Sequence, residues 1–203
     1  MTWKECSQLI KDDYKRLIEF NPKNASSYRF IKNAFFDDSF CVTFWFRLGT
    51  FMWGRRAKPV MKIPYFIVRN ILSHESHKTG IQISIGTLCG GGLKFFHYGS
   101  VIIANSVILG KNVSIHHDVT LGRIFTGPNK GVPTIGDNVV IFPGAKIIGN
   151  IRIGNNVVIG ANAVVLNDVP DNCVVAGNVA RIISHDSSKC FDEYWTRIFA
   201  RTT

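Results

Sequence analysis

The sequence predicts a mainly β protein: a solenoid of six-residue repeats, preceded by an α-helical region and closed by a short helix. From Ile135 the chain divides into IGDNVV, IFPGAK, IIGNIR, IGNNVV, IGANAV and VLNDVP, and upstream it reads IANSVI, LGKNVS and IHHDVT. Each hexad is aliphatic at its first place and apolar at its fifth. Residues 1–78 lack this period and show helical periodicity instead.

The hexads predict a three-sided prism. Apolar side chains at the first and fifth places point into a shared interior, while Gly, Asn and Asp occupy the corners, where tight or left-handed backbone is accessible to them. Three hexads, roughly 18 residues, close one coil, and such coils bury their cores only by stacking. The two runs differ in register, which indicates an inserted loop, RIFTGPNKGVPT (123–134).

The predicted organisation is therefore helical over 1–78, solenoid with its loop over 79–183, and helical again over 184–203. The stretch ECSQLIKDDYKRLIEF is amphipathic and ends before Asn21-Pro22, and further helices are expected over roughly 38–56 and 61–73. The closing segment SSKCFDEYWTRIFART is expected to begin at a cap provided by Ser187 or Ser188.

Composition narrows the class of protein. Five scattered cysteines without a CxxC pair argue against a disulfide framework or a zinc site, so no metal is expected. The polar start MTWKECSQLIKDD does not resemble a signal peptide, and no apolar run is long enough to span a bilayer. The expected location is the cytoplasm.

The net charge of +10 is concentrated between residues 47 and 78, where seven Lys or Arg accompany one acid, Glu75. Two interpretations stay open. The segment forms helices packed on the protein with solvated basic faces, or residues 39–72 make peripheral contact with the inner face of a membrane. No nucleic-acid motif is present, so nucleic acid is not an expected partner.

The repeats and their flanks resemble a known family. The stretches KFFHYGSVII, VSIHHDVTLG, PTIGDNVVIFPGAKIIGNIRIGNNVVIGANAVVLNDVP and AGNVARI are similar to the hexapeptide-repeat acyltransferases with a left-handed β-helix, and within them to the serine acetyltransferase branch. This resemblance covers about 80–183. It implies acetyl-CoA as co-substrate and a homotrimer that binds acyl-CoA between neighbouring prisms.

The chemistry of such a reaction requires a base near the acceptor hydroxyl, and a histidine suits that task. The resemblance places the catalytic histidine at His97, which by counting in sixes from Ile103 falls where Ile or Val is expected; a satisfied core histidine is the alternative. The family's orienting carboxylate corresponds to Gln82. An amide can orient an imidazole but cannot stabilise the imidazolium as a carboxylate does.

The pair His116 and His117 should lie one coil beyond His97, near Tyr98 and Gly99. Acceptor contact or proton relay is one interpretation, and solvent-exposed corner residues the other. Asp118 is a candidate for the missing acid or for a corner cap.

Small residues at the coil edges are expected to let the pantetheine arm of acetyl-CoA approach, with cations near its phosphates. Each small residue could equally be a tight turn. The expected positions are Pro143, Gly144, Ala145, Lys146, Gly160, Ala161 and Arg181.

Four departures from the family pattern bear on the acceptor. Gln82 and Phe96 replace acids, and Gly131 and Val132 replace the arginine and histidine that hold serine. Because a zwitterion needs charged partners, the expected acceptor is a sugar hydroxyl in surface polysaccharide synthesis, as in the related polysaccharide O-acetyltransferases. Serine acetyltransferase is the alternative activity, and a catalytically silent trimeric scaffold is a third interpretation.

Overall fold

Helices come first along the chain in the computed structural model, which describes residues 1–20 and 26–191. They are α1 (Trp3–Phe20), α2 (Ser27–Phe36), α3 (Asp38–Trp53) and α4 (Pro59–Thr79). The sequence did not predict helix α2. Its N-cap is Ser26, whose hydroxyl accepts the Arg29 N–H. None of the helices in these ranges is long and apolar enough to cross a membrane.

Short strands follow the helices. In chain order they are β1 (Ile81–Gln82), β2 (Leu88–Cys89), β3 (Lys94–Phe96), β4 (Val101–Ile103), β5 (Ile108–Leu109), β6 (Ser114–His116), β7 (Thr120–Gly122), β8 (Thr134–Ile135), β9 (Val140–Ile141), β10 (Lys146–Ile148), β11 (Arg152–Ile153), β12 (Val158–Ile159), β13 (Val164–Val165), β14 (Val174–Ala176) and β15 (Arg181–Ser184). Residues 188–191 are helical, and the rest of the predicted closing helix lies outside the described residues.

The strands form three sheets, as the hexads predict. Sheet one has the order β1-β4-β7-β10-β13, sheet two β11-β8-β5-β2, and sheet three β15-β14-β12-β9-β6-β3. Every pair is parallel except β14 with β15. The core is a stack of fully buried aliphatic residues, one layer per coil, as in the column Ile115, Ile141 and Ile159. The predicted solenoid is confirmed.

One corner of the prism is built by an amide ladder. Its four asparagines have positive φ, and each side-chain amide donates to the oxygen of the next at 2.9–3.0 Å: Asn112, Asn138, Asn156 and Asn172. Asparagine tolerates left-handed backbone because its short polar side chain can bond locally. The repeated Asn of the hexads therefore permits the left-handed backbone of this corner and links successive coils.

The segment between β7 and β8 leaves the prism as a loop. Ile124 and Gly131 exchange two backbone hydrogen bonds of 2.9 and 3.0 Å, which close it as a hairpin. Phe125, which follows Ile124 directly, is 75% exposed. The inserted residues lengthen this coil, so that Leu109 pairs with Ile135 26 positions later.

A buried ion pair joins the helices to the first coils. The Arg47 guanidinium on α3 donates to both carboxylate oxygens of Asp13 on α1, at 2.9 and 3.1 Å. It also donates to the carbonyls of Cys89 and Gly90. Asp13 Oδ1 in turn accepts the backbone N–H groups of Gly92 and Leu93. Both charges are 2% exposed, so each depends on the other for its solvation.

Replacing Asp13 by Ala should therefore destabilise the fold by about 3–5 kcal/mol, because it leaves the Arg47 cation buried without its partner. Urea unfolding measures the change. Asp12→Ala, on the same helix but only partly buried, is the matched control and should cost less than about 1 kcal/mol. An equal loss in the two variants would contradict this role for the ion pair.

Candidate active site

One edge of the prism, between sheets three and one, collects most of the residues that the sequence singled out. Successive coils are stacked there by backbone hydrogen bonds: the Asp118 N–H donates to the Gly99 carbonyl at 2.9 Å, and the Gly144 N–H donates to the His117 carbonyl at 3.1 Å. The Asn162 N–H continues the series to the Pro143 carbonyl at 2.9 Å. Parallel stacking thus brings distant positions to one line on the surface.

His97 lies at this edge directly after β3. Its backbone has φ +63°, which turns the exposed side chain outward. The interior place is taken by Phe95, so the expectation that His97 occupies an apolar repeat position is wrong. The physical reason is the length of this coil: Phe95 pairs with Ile115 at an offset of 20, which leaves two residues more than three hexads for the corner.

The longer coil also changes the positions of the histidine pair. His116 is in register with Phe96, and the His117 ring centre lies 6.0 Å from that of His97. The expected placement beside Tyr98 and Gly99 is therefore shifted by two residues. His97 and His117 are therefore neighbours on this edge.

His116 has a different environment from its neighbour. Its ring is stacked between Phe96 and Phe142, with centroid distances of 4.9 and 5.2 Å and nearly parallel planes. Burial, and secondly the nearby His97 and His117, lower the pKa of His116 to about 4. The ring is therefore neutral at pH 7. The sequence singled out His116, but it gave no sign of the aromatic stack, because Phe142 lies 26 positions further on.

Gln82 lies on β1, in register with Ile102 of β4, and its side chain is exposed. Within the described part of the chain it makes no hydrogen bond to His97, and its orienting role stays a prediction. Asp118 instead pairs with a candidate cofactor residue: Lys146 Nζ lies 2.9 Å from Asp118 Oδ1 and 2.5 Å from the Asp118 carbonyl oxygen. One acid and one cation are thus held together on the histidine edge.

The residues expected to face acetyl-CoA continue along the same edge. Gly144 has φ +79°, and a Cβ there would collide with the Asn162 side-chain oxygen, so this corner requires glycine. Ala145 is fully buried, whereas Ala161 is exposed. Pro143 and Gly160 lie at these two corners and Lys146 begins β10, while Arg181 is exposed on β15 opposite Ala176. Their contact with the cofactor stays a prediction.

A cleft of about 310 Å³ opens beside His97, with walls from the helical region and from the first coils. Besides His97 and Tyr98, its charged and polar lining residues are Asp37, Ser39 and Lys94. Lys94 is 9% exposed; burial lowers its pKa and the nearby Asp37 carboxylate opposes that shift. The Ser39 hydroxyl accepts the Phe95 N–H at 3.3 Å. The sequence did not predict this cleft, since its walls come from segments about 55 residues apart.

No group of three potential His, Cys, Asp or Glu ligands is placed to hold a metal ion in the part of the chain that the structure describes.

The low pKa of His116 predicts how stability depends on pH. An unfolded histidine binds a proton below about pH 6.5, whereas folded His116 does so only near 4, so acidification across this window favours the unfolded state. Between pH 7 and 4.5 the wild type should lose about 2 kcal/mol more than His116→Phe, which keeps the stack. Urea unfolding at both pH values measures this difference, and parallel losses would contradict it.

Known proteins match both the repeats and the whole fold. The profile of the bacterial transferase hexapeptide family (six repeats) matches residues 133–167. A serine acetyltransferase of Synechococcus elongatus is 42% identical over 118 residues, covering 58% of this chain and 48% of that protein. A serine acetyltransferase of Helicobacter pylori is 41% identical over 122 residues, covering 60% of this chain and 71% of its own.

Among solved structures, the Neisseria gonorrhoeae serine acetyltransferase in complex with serine superposes with a TM-score of 0.71 at 29% identity. The match covers 90% of this chain and 70% of that one. The likeness therefore includes the helical region as well as the prism. The chain spans about half the length of the Synechococcus relative and 71% of the Helicobacter one.

These relatives correct the expected acceptor. The prediction of a sugar, and with it the placement closest to polysaccharide O-acetyltransferases, is wrong, because the matching proteins are serine acetyltransferases. That prediction rested on four missing side chains alone, and it did not foresee the cleft that Asp37 and Lys94 line beside His97. The prediction of a hexapeptide-repeat acyltransferase is confirmed, and the chain belongs to the serine acetyltransferase family.

Proposed function

We propose that this protein is a serine O-acetyltransferase that uses acetyl-CoA and has His97 as its general base. The observation that carries the proposal is the prism edge, where an exposed histidine shares one line with glycine and alanine corners. The family relationship supports the reaction, and the edge is its proposed place. The whole enzyme is proposed to be a homotrimer, with this edge facing the neighbouring prism.

His97 is the histidine best suited to act as the base. It is exposed, held at a corner by the backbone, and next to a cleft large enough for a small acceptor. The His116 ring has too low a pKa and is enclosed by two phenylalanines. The His117 ring centre lies 6.0 Å from that of His97, and His117 is proposed to assist it.

In the proposed reaction His97 first accepts a proton and later donates it. The His97 imidazole takes the proton of the serine hydroxyl as its oxygen attacks the thioester carbonyl carbon. A new C–O bond forms, the C–S bond breaks, and the imidazolium returns the proton to the departing thiolate. Backbone N–H groups at a coil corner are the simplest donors for the oxyanion of the tetrahedral intermediate. The small, exposed side chain of Ala161 is proposed to leave room for the pantetheine arm along the edge.

The residues at positions 82, 96, 131 and 132 are uncharged, so the charged groups that bind serine must come from elsewhere. The cleft beside His97 supplies them: Asp37 suits the serine ammonium group and Lys94 suits its carboxylate. The two side chains already interact electrostatically. An incoming carboxylate would favour the charged form of Lys94, against the effect of burial.

The reaction is tested by release of free thiol from acetyl-CoA with L-serine as acceptor. His97→Ala should lower kcat/KM by about 10²–10⁴-fold, the usual contribution of a general base. His74→Ala, which removes an exposed histidine from α4, is the control and should change the rate less than about twofold. Absence of serine-dependent thiol release by the wild type would overturn the proposed acceptor. Full activity of His97→Ala would assign the base to His117.

The charges of the cleft are tested separately. Lys94→Met and Asp37→Asn should each raise the KM for serine by about tenfold or more and leave the KM for acetyl-CoA unchanged, since each removes one charge-assisted bond to the acceptor. Asparagine keeps the cap that Asp37 provides to the Phe40 N–H. Lys111→Met, on the solenoid surface, is the matched control. An unchanged serine KM in both cleft variants would show that other groups hold the zwitterion.

A further inference from the structure

Helix α4 exposes an apolar stripe on the side that faces away from the protein. Val60, Ile63, Phe66 and Ile67 are 82%, 72%, 64% and 51% exposed. Residues 60, 63 and 67 recur at the spacing that places side chains on one face of a helix, and Phe66 lies beside them. The opposite face carries the buried residues of the helix: Val68, Leu72, Glu75 and Thr79. The stripe is therefore no part of the packing that holds α4 on the prism.

The same part of the chain is rich in cations. Neither Asp nor Glu occurs between Asp38 and Glu75, and Glu75 is buried, 3.7 Å from Lys78. Helix α4 and its N-cap carry three exposed cations over the length of the stripe: Lys58, Lys62 and Arg69. Exposed apolar and basic side chains thus lie together on α4 over residues 58–69.

The charge and apolar character of this surface indicate what binds to it. A second copy of the chain docked stripe to stripe would bring two sets of uncompensated cations together, which costs free energy. An anionic lipid surface instead offers negative headgroups to the cations and an acyl boundary to the apolar side chains. Apolar residues on one face and Lys or Arg beside them are the features of a helix that lies in the plane of such an interface.

We propose that residues 58–69 dock the protein onto an anionic bilayer surface, with the stripe of α4 entering the headgroup region. The helix lies along the interface and does not cross it. This inference does not depend on the proposed acetyltransferase activity, because none of these residues lies at the histidine edge. Docking would hold the enzyme at the membrane while the prism stays in water.

The test is co-sedimentation of the full chain with vesicles of phosphatidylcholine and phosphatidylglycerol (3:1), beside vesicles of phosphatidylcholine alone. The wild type should pellet with the anionic vesicles and be released by high salt, since surface charges are screened. The double variants Ile63→Ser/Phe66→Ser and Lys62→Gln/Arg69→Gln should each bind at least about tenfold more weakly. All four side chains are exposed, so the fold is expected to survive; thermal unfolding checks this.

Matched controls lie on the prism and its loop. Phe125→Ser removes an equally exposed phenylalanine, and Lys111→Gln/Arg152→Gln removes two exposed cations. Both should bind like the wild type. The proposal is overturned if the wild type fails to bind, if it binds neutral vesicles equally, or if the controls weaken binding as much as the α4 variants. Sedimentation velocity without lipid adds a further outcome: a smaller assembly for Ile63→Ser/Phe66→Ser would make this face a contact between copies.

Discussion

The structure depends on the fact that a single coil cannot bury its own apolar residues. Each layer of the prism is covered only by the layers above and below it, through parallel strands that repeat in register. Aliphatic side chains must therefore fall at the same interior positions in coil after coil, as Ile115, Ile141 and Ile159 do. The corners, which carry no core residues, are free to vary in sequence and in length.

That freedom explains the position of the candidate site. His97 and His117 lie at corners of successive coils, and the stacking of coils aligns them with the corner at Pro143 and Gly144. A rigid stack holds such an edge without any dedicated packing around it. The same rigidity keeps the rings of His97 and His117 close while His116, one residue earlier, is enclosed between Phe96 and Phe142. Two adjacent histidines thereby acquire different chemistry.

The helical region covers the first coils of the stack and adds charge to it. The buried Asp13–Arg47 pair is bonded to the backbone of residues 89–93, so the position of α1 and α3 is tied to the start of the prism. Through this attachment the beginning of α3 contributes Asp37 and Ser39 to the cleft beside His97. The outer face of α4 remains free for a different contact. One helical region thus contributes to both the proposed acceptor cleft and the proposed membrane surface.

The sequence by itself determined the solenoid, the inserted loop and most of the helices, because these follow from local periodicity. The resemblance of a short motif to a known family added His97 as the candidate base. Only the tertiary structure decided what surrounds that histidine. The 20-residue coil moved His97 out of the interior, Phe142 reached His116 from the next coil, and Lys94 and Asp37 met across the junction of helices and prism. A six-residue period specifies which side chains point inward, but contacts between corners and helices depend on coil length and docking. Neither of these is encoded in any single hexad.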